Sequence, residues 1–137
     1  MYATCDDLNA RIGVSEAAQI YPDIATAESD LESASAEIDA AVCVRYRVPV
    51  TASAAMPLLR DWCLTLAEER AYARIAGSEF GEKVKLRVDR VRKLLDEIRA
   101  GTFQLPGNPE ESASGGGGAS CLAVDEPVFG REKMRGF

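Results

Sequence analysis

Histidine is absent from all 137 residues, which removes the side chain most often used as a general base or metal ligand near neutral pH. The four cysteines, Cys5, Cys43, Cys63 and Cys121, lie far apart and form no CxxC pair. Neither a thiolate nucleophile nor a zinc site is expected from them, and a disulfide scaffold is not expected either. No GxxxxGKS, GxGxxG or GxSxG stretch occurs, and the Gly115–Gly118 run lacks the strand and helix that a phosphate-binding loop needs. The adjacent acid pairs Asp6–Asp7, Glu68–Glu69 and Glu110–Glu111 suit shared carboxylate chemistry poorly, because neighbours on a helix point about 100° apart. Aromatic residues make up only 7% of the chain. No apolar run approaches the roughly 20 residues of a membrane span, and no signal peptide is read at the N-terminus. Catalytic, cofactor-binding and metal-binding residues are therefore all expected to be none, and no membrane association is expected.

What the chain does have is helical pattern. Its organising stretch is Thr26–Val50, with Thr26 as the expected N-cap and acids at Glu28, Asp30 and Glu32, where the helix dipole favours them. Leu31, Ala34, Ile38, Ala41, Val42 and Cys43 recur at helical spacing, with Glu32, Ser35 and Asp39 expected on the opposite side. From Ala27 to Tyr46 such a helix spans about 30 Å. Arg45 and Arg47 suit its C-terminal end, and Pro49 forbids helix at Val48.

Two short helices precede it. Thr4 and Asp7 sit at capping-box spacing, Leu8 and Ile12 form an apolar edge, and Gly13 is a natural stop. Ser15 is read as the cap of a second piece, Ser15–Tyr21, ended by Pro22. Two longer helices follow. One starts at Pro57 and runs to about Ala76, placing Leu59, Trp62, Cys63, Leu66, Ala67, Arg70 and Ala73 near one face, with Trp62 in the core. After a break at Gly77, with Ser78 as a cap, Val84, Val88, Val91, Leu95 and Ile98 form an a/d seam closed by Gly101. Lys83, Lys85, Arg87, Arg90, Arg92 and Lys93 surround that seam. The fold class is mainly α: a small bundle of two short N-terminal and three longer helices.

The expected organisation is a helical domain over 1–102, a flexible Pro/Gly/Ser linker over 103–121 and a C-terminal docking arm over 122–137. The arm carries Val128, Phe129, Met134 and Phe137 among Arg131 and Arg135, a pattern of apolar anchors and charge read as partner-binding.

Net charge is −6, unevenly spread. Residues 1–44 hold nine acids against Arg11 alone, while residues 45–102 hold twelve Lys and Arg against eight acids. Such a split serves either helix packing within one chain or contacts between subunits. The inter-subunit candidates are Glu32, Glu37 and Asp39 facing Arg87, Arg90 and Arg92 of a neighbour. A sequence-specific DNA reader is disfavoured by the overall charge.

The opening MYAT with Asp7-Leu8 and Arg11-Ile12-Gly13, the ASAEID of Ala34–Asp39 followed by Arg45-Tyr46 and Pro49, and the terminal VFGREKMRGF together resemble the Mu-like bacteriophage head–tail connector (adaptor) proteins. The resemblance covers residues 1–100 and the last ten. It implies a non-enzymatic structural subunit of the virion, made in the host cytoplasm and placed at the head–tail junction. It further implies a homo-oligomeric ring, twelve-fold to match the portal protein above it, with tail-completion or tail-terminator proteins docking below. DNA passes through such a ring without sequence-specific binding. A different class, a small helical cytoplasmic regulator of DNA or a partner protein, is the alternative reading.

Overall fold

The computed structural model describes residues 1–74 and 80–111. Five helices follow one another: α1 (Cys5–Ile12), α2 (Val14–Ile20), α3 (Ile24–Val42), α4 (Met56–Ala73) and α5 (Phe80–Ala100). Helices α3, α4 and α5 pack pairwise as a three-helix bundle, and α1 lies across α3 and α4 with α2 beside it. The fold is mainly helical, as the periodicity predicts.

Local chemistry sets the ends. Thr4 Oγ1 accepts from the Asp7 N–H at 3.2 Å while the Asp7 carboxylate accepts from the Thr4 N–H at 3.0 Å, closing the expected capping box. The organising helix starts earlier than Thr26: Asp23 is the N-cap, its carboxylate accepting from the Thr26 N–H and hydroxyl, both at 2.7 Å. Thr26 is thus the residue that Asp23 caps. The helix also stops at Val42, with Cys43 as its cap, so Arg45 and Tyr46 lie beyond it. Gly13, not Ser15, precedes α2. Helix α5 ends at Gly101, whose φ of +84° suits the left-handed turn that carries its N–H back to Ile98 O at 3.0 Å. Gly77 and Ser78 lie outside the described residues.

The a/d seam is real: Val84, Val88, Val91, Leu95 and Ile98 are all buried. They meet Leu31, Ala34 and Ile38 of α3 and Leu59, Trp62, Cys63 and Leu66 of α4 in one core. Alanines at 34, 41, 67 and 71 are fully buried there, letting helix backbones approach closely. Arg70 is half-buried and Ala73 exposed, so the α4 face is narrower at its C-terminal end than the spacing implies. The free thiols among the described residues are Cys5 and Cys63; Cys43 is not one of them.

Residues 103–111, whose composition reads as the start of a linker, pack on the bundle. Phe103 lies 6.1 Å from Trp62 between ring centroids, and Leu105 is buried with its N–H donated to Tyr46 Oη at 3.2 Å. The Arg47 N–H donates to Glu110 O at 2.9 Å, and Tyr46 forms an isolated antiparallel bridge with Glu111. Tyr46, Trp62 and a strap with two prolines therefore close this end of the core. The rest of the expected linker, 112–121, and the whole arm, 122–137, lie outside the described residues.

Candidate interaction surface

The N-terminal MYAT stretch is threaded into α3. The Tyr2 N–H donates to Ser35 Oγ at 3.1 Å, and the Tyr2 hydroxyl donates to the Asp39 carboxylate while accepting from the Val50 N–H at 3.0 Å. Ser35 Oγ in turn lies 3.3 Å from Cys63 Sγ on α4. Ser35 and Asp39, expected to face away, are therefore drawn inward, Ser35 fully. Burial, and then the Asp39 hydrogen bond, push the Tyr2 phenol well above its usual range. Desolvation raises the Asp39 carboxyl although the Tyr2 hydroxyl pulls the other way.

Charge pairs then staple the helices. Glu68 of α4 is buried, with Arg11 Nε of α1 at 2.9 Å from Oε1 and Arg87 Nη2 of α5 at 3.0 Å from Oε2. Buried Asp30 on α3 takes a two-pronged contact from Arg74, at 3.0 and 2.8 Å, and that guanidinium stands 5.3 Å over the Tyr21 ring. Arg92 on α5 forks to Glu37 on α3 at 2.9 Å and to Glu69 on α4 at 2.8 Å, and Glu37 also receives Arg70 at 3.1 Å. The Glu37 and Glu69 hydrogen bonds hold the Arg92 guanidinium above its usual range.

These contacts place the candidate inter-subunit residues. Glu37, Asp39, Arg87 and Arg92 all have partners within their own chain. Glu32 and Arg90 remain on the exposed surface. Opposed charge thus holds helix to helix at Glu37, Arg87 and Arg92, whereas Asp39 takes the Tyr2 hydroxyl instead of a cation. Of the residues that the charge split marks as candidates for contacts between subunits, Glu37 and Arg92 meet each other within one chain, while Arg87 meets Glu68. Asp30, Glu68, Arg11 and Arg74 carried no signal beyond their charge. Buried acids on otherwise apolar helix faces were the only clue.

One outer face is differently made. A groove of about 280 Å³ opens where α1, α2 and the start of α3 meet, lined among others by Cys5, Val14, Ala18, Pro22, Asp23 and Ile24. Val14 and Ile24 expose 76% and 69% of their surface, although both are large and apolar. Burial raises the half-buried Cys5 thiol there, and the Glu28 and Asp6 charges raise it further, so those acids face the same edge. Of the lining residues none is basic. The arm residues Val128, Phe129, Arg131, Met134, Arg135 and Phe137 are outside the described residues.

Among the described residues no cluster of Cys, Asp and Glu has the grouping that holds a metal, and no helix is long and apolar enough to cross a membrane. A family model described as bacteriophage Mu, Gp36 matches residues 2–121. No curated protein matches the chain. The match spans all five helices and the strap, so the chain belongs to the bacteriophage Mu Gp36 family and is a Mu-like phage protein.

Proposed function

We propose that this chain is a structural, non-enzymatic head-to-tail connector subunit. It forms a ring below the portal protein, through which DNA passes and on which tail-completion or tail-terminator proteins dock. The observation that carries this reading is the family match over 2–121, which sets the protein among phage structural and assembly components.

Physical features agree with a structural subunit. The core is stapled by ion pairs that cross α1, α3, α4 and α5, which suits a rigid building block rather than a moving catalyst. Arg87 and Arg92, on the most basic helix, are engaged with carboxylates, and the chain is net negative, so adhesion to passing DNA is weak. A ring requires two unlike complementary surfaces on each subunit, because repeated head-to-tail contacts are heterologous.

The test is genetic and structural together. Phage lacking this product should accumulate DNA-filled heads and separate finished tails, and adding the purified protein to that mixture should restore joined particles. Normal particles without it, or a block in head or tail formation instead of joining, would refute the reading.

A further inference from the structure

We propose that the groove between α1, α2 and the start of α3 is the receptor for the segment Val128–Phe137 of an adjacent copy of this chain. The proposal rests on the connector reading and gives its ring a specific subunit contact.

Three observations converge on that occupant. The groove presents Val14 and Ile24 as exposed apolar side chains beside the buried lining residues Ala17, Tyr21 and Ala27. Single exposed apolar residues are ordinary on a protein surface, but here two line one recess. Around it stand Asp6, Asp23 and Glu28, with no base among the lining residues. The segment 128–137 has the complementary composition: Val128, Phe129, Met134 and Phe137 for the apolar recess, and Arg131, Lys133 and Arg135 against one acid, Glu132, for the rim.

The second copy follows from where the described chain stops. Glu111 bridges to Tyr46, just past the C-terminal end of α3, whereas Ile24 begins that helix. Nineteen helical residues separate those two ends by about 28 Å. Residues 112–127 supply sixteen positions between Glu111 and the segment, including Gly115–Gly118. At about 5–6 Å times the square root of length, a Gly-rich stretch of sixteen reaches about 20–24 Å on average. That average falls short of the separation between the donor end and the receptor end of one subunit, which favours the groove of a neighbour over its own. Placing them at opposite ends of α3 is the arrangement that propagates a head-to-tail series, and closure of the series gives a ring. Each contact is small, and a closed ring multiplies it.

The test mixes two full-length variants. One carries Val14→Glu with Ile24→Glu, which spoils the groove at exposed positions. The other carries Phe129→Ala with Phe137→Ala, which spoils the segment. Native mass spectrometry and sedimentation should show concentration-dependent oligomers for the wild type, and monomers with unchanged helical circular dichroism for each variant alone. The equimolar mixture should stop at a heterodimer, because only one intact contact can form. If the glutamates disturb α2, Val14→Ser with Ile24→Ser gives the milder disruption. Cys5 supplies a second readout: its alkylation, followed on its own peptide by mass spectrometry, should be several-fold slower in wild type than in the segment variant. A monomeric wild type, a mixture that stays monomeric, or equal Cys5 reactivity would overturn the inference. Oligomers unaffected by either variant would overturn the groove contact while leaving the connector reading intact. Failure of the head-joining test would remove that reading without bearing on the mixing result.

Discussion

The hydroxyl of Tyr2 is held between the Asp39 carboxylate of α3, to which it donates, and the Val50 N–H, from which it accepts. Two sequence features 37 positions apart, the opening MYAT and the ASAEID of α3, thereby become one buried contact. Tyr2→Phe keeps the ring's packing but strands the Val50 N–H and one carboxylate oxygen. Leaving a buried polar group unpaired costs about 1–3 kcal/mol. Urea unfolding should show a loss in that range, with an unchanged dependence on denaturant. A neutral Tyr2→Phe would mean that the hydroxyl is solvated instead.

The carboxyls should titrate apart, in opposite directions. The Thr4 and Thr26 donors hold Asp7 and Asp23 below the ordinary 3.8, so what these caps contribute is present above that value and is lost as pH falls through the lower folded one. Asp39, raised chiefly by desolvation, behaves oppositely: its contribution is full below 3.8 and is lost as pH rises through the higher folded value. Carbon-detected NMR of the side-chain carboxyls should order them Asp7 and Asp23 first and Asp39 last on raising the pH. Coincident titration would contradict the burial of Asp39.

Charge reversal should distinguish the stapling cations from the free surface. Arg87→Glu sets a second carboxylate beside buried Glu68. Breaking a fully buried pair costs roughly 3–5 kcal/mol, and Arg87 is 43% exposed with Arg11 still present, so about 2 kcal/mol is expected. Arg90→Glu and Glu32→Lys, at exposed positions, should each change stability by no more than about 0.5 kcal/mol. Thermal unfolding of the three single variants makes the comparison.

Gly107 tests the strap. Its φ is +86°, and a Cβ there would stand 2.7 Å from Ala54 Cβ, a short side chain with nowhere to go. At Gly101 the corresponding atom meets the tip of Arg45, which can swing aside. Both substitutions to Ala carry the left-handed backbone cost of about 1–2 kcal/mol, and Gly107→Ala should exceed Gly101→Ala through the added clash. A silent Gly107→Ala would return residues 103–111 to the linker that composition suggests.

Periodicity made the bundle legible. The Val84–Ile98 seam, the apolar faces of α3 and α4 and the buried Trp62 all follow from spacing, because a helix surface repeats every 3.6 residues whatever it packs against. Cap identity was harder to read: Thr26 and Asp23 are both good caps three residues apart, and the aspartate, lying further upstream, gains an extra turn. Ser35 and Asp39 were misplaced because their burial is decided by Tyr2, a residue more than thirty positions away. The strap defeated composition for a similar reason: Pro106 and Gly107 look like linker residues, yet Phe103 and Leu105 between α5 and them find Trp62 and Tyr46. Which charges pair in cis depends on the rotation of three helices about their axes, which no pattern along one helix reports. The groove had no linear signature, since Val14 and Ile24 come to line one recess only through the two turns between α1 and α3.

Electron cryomicroscopy of the intact virion tests the central claim most directly. The account predicts density for the α3–α4–α5 bundle repeated around a closed ring at the head–tail junction, between portal and tail, with a hole that DNA can pass. Its absence from the virion, or its appearance as isolated copies elsewhere on the head or tail, would contradict the connector assignment.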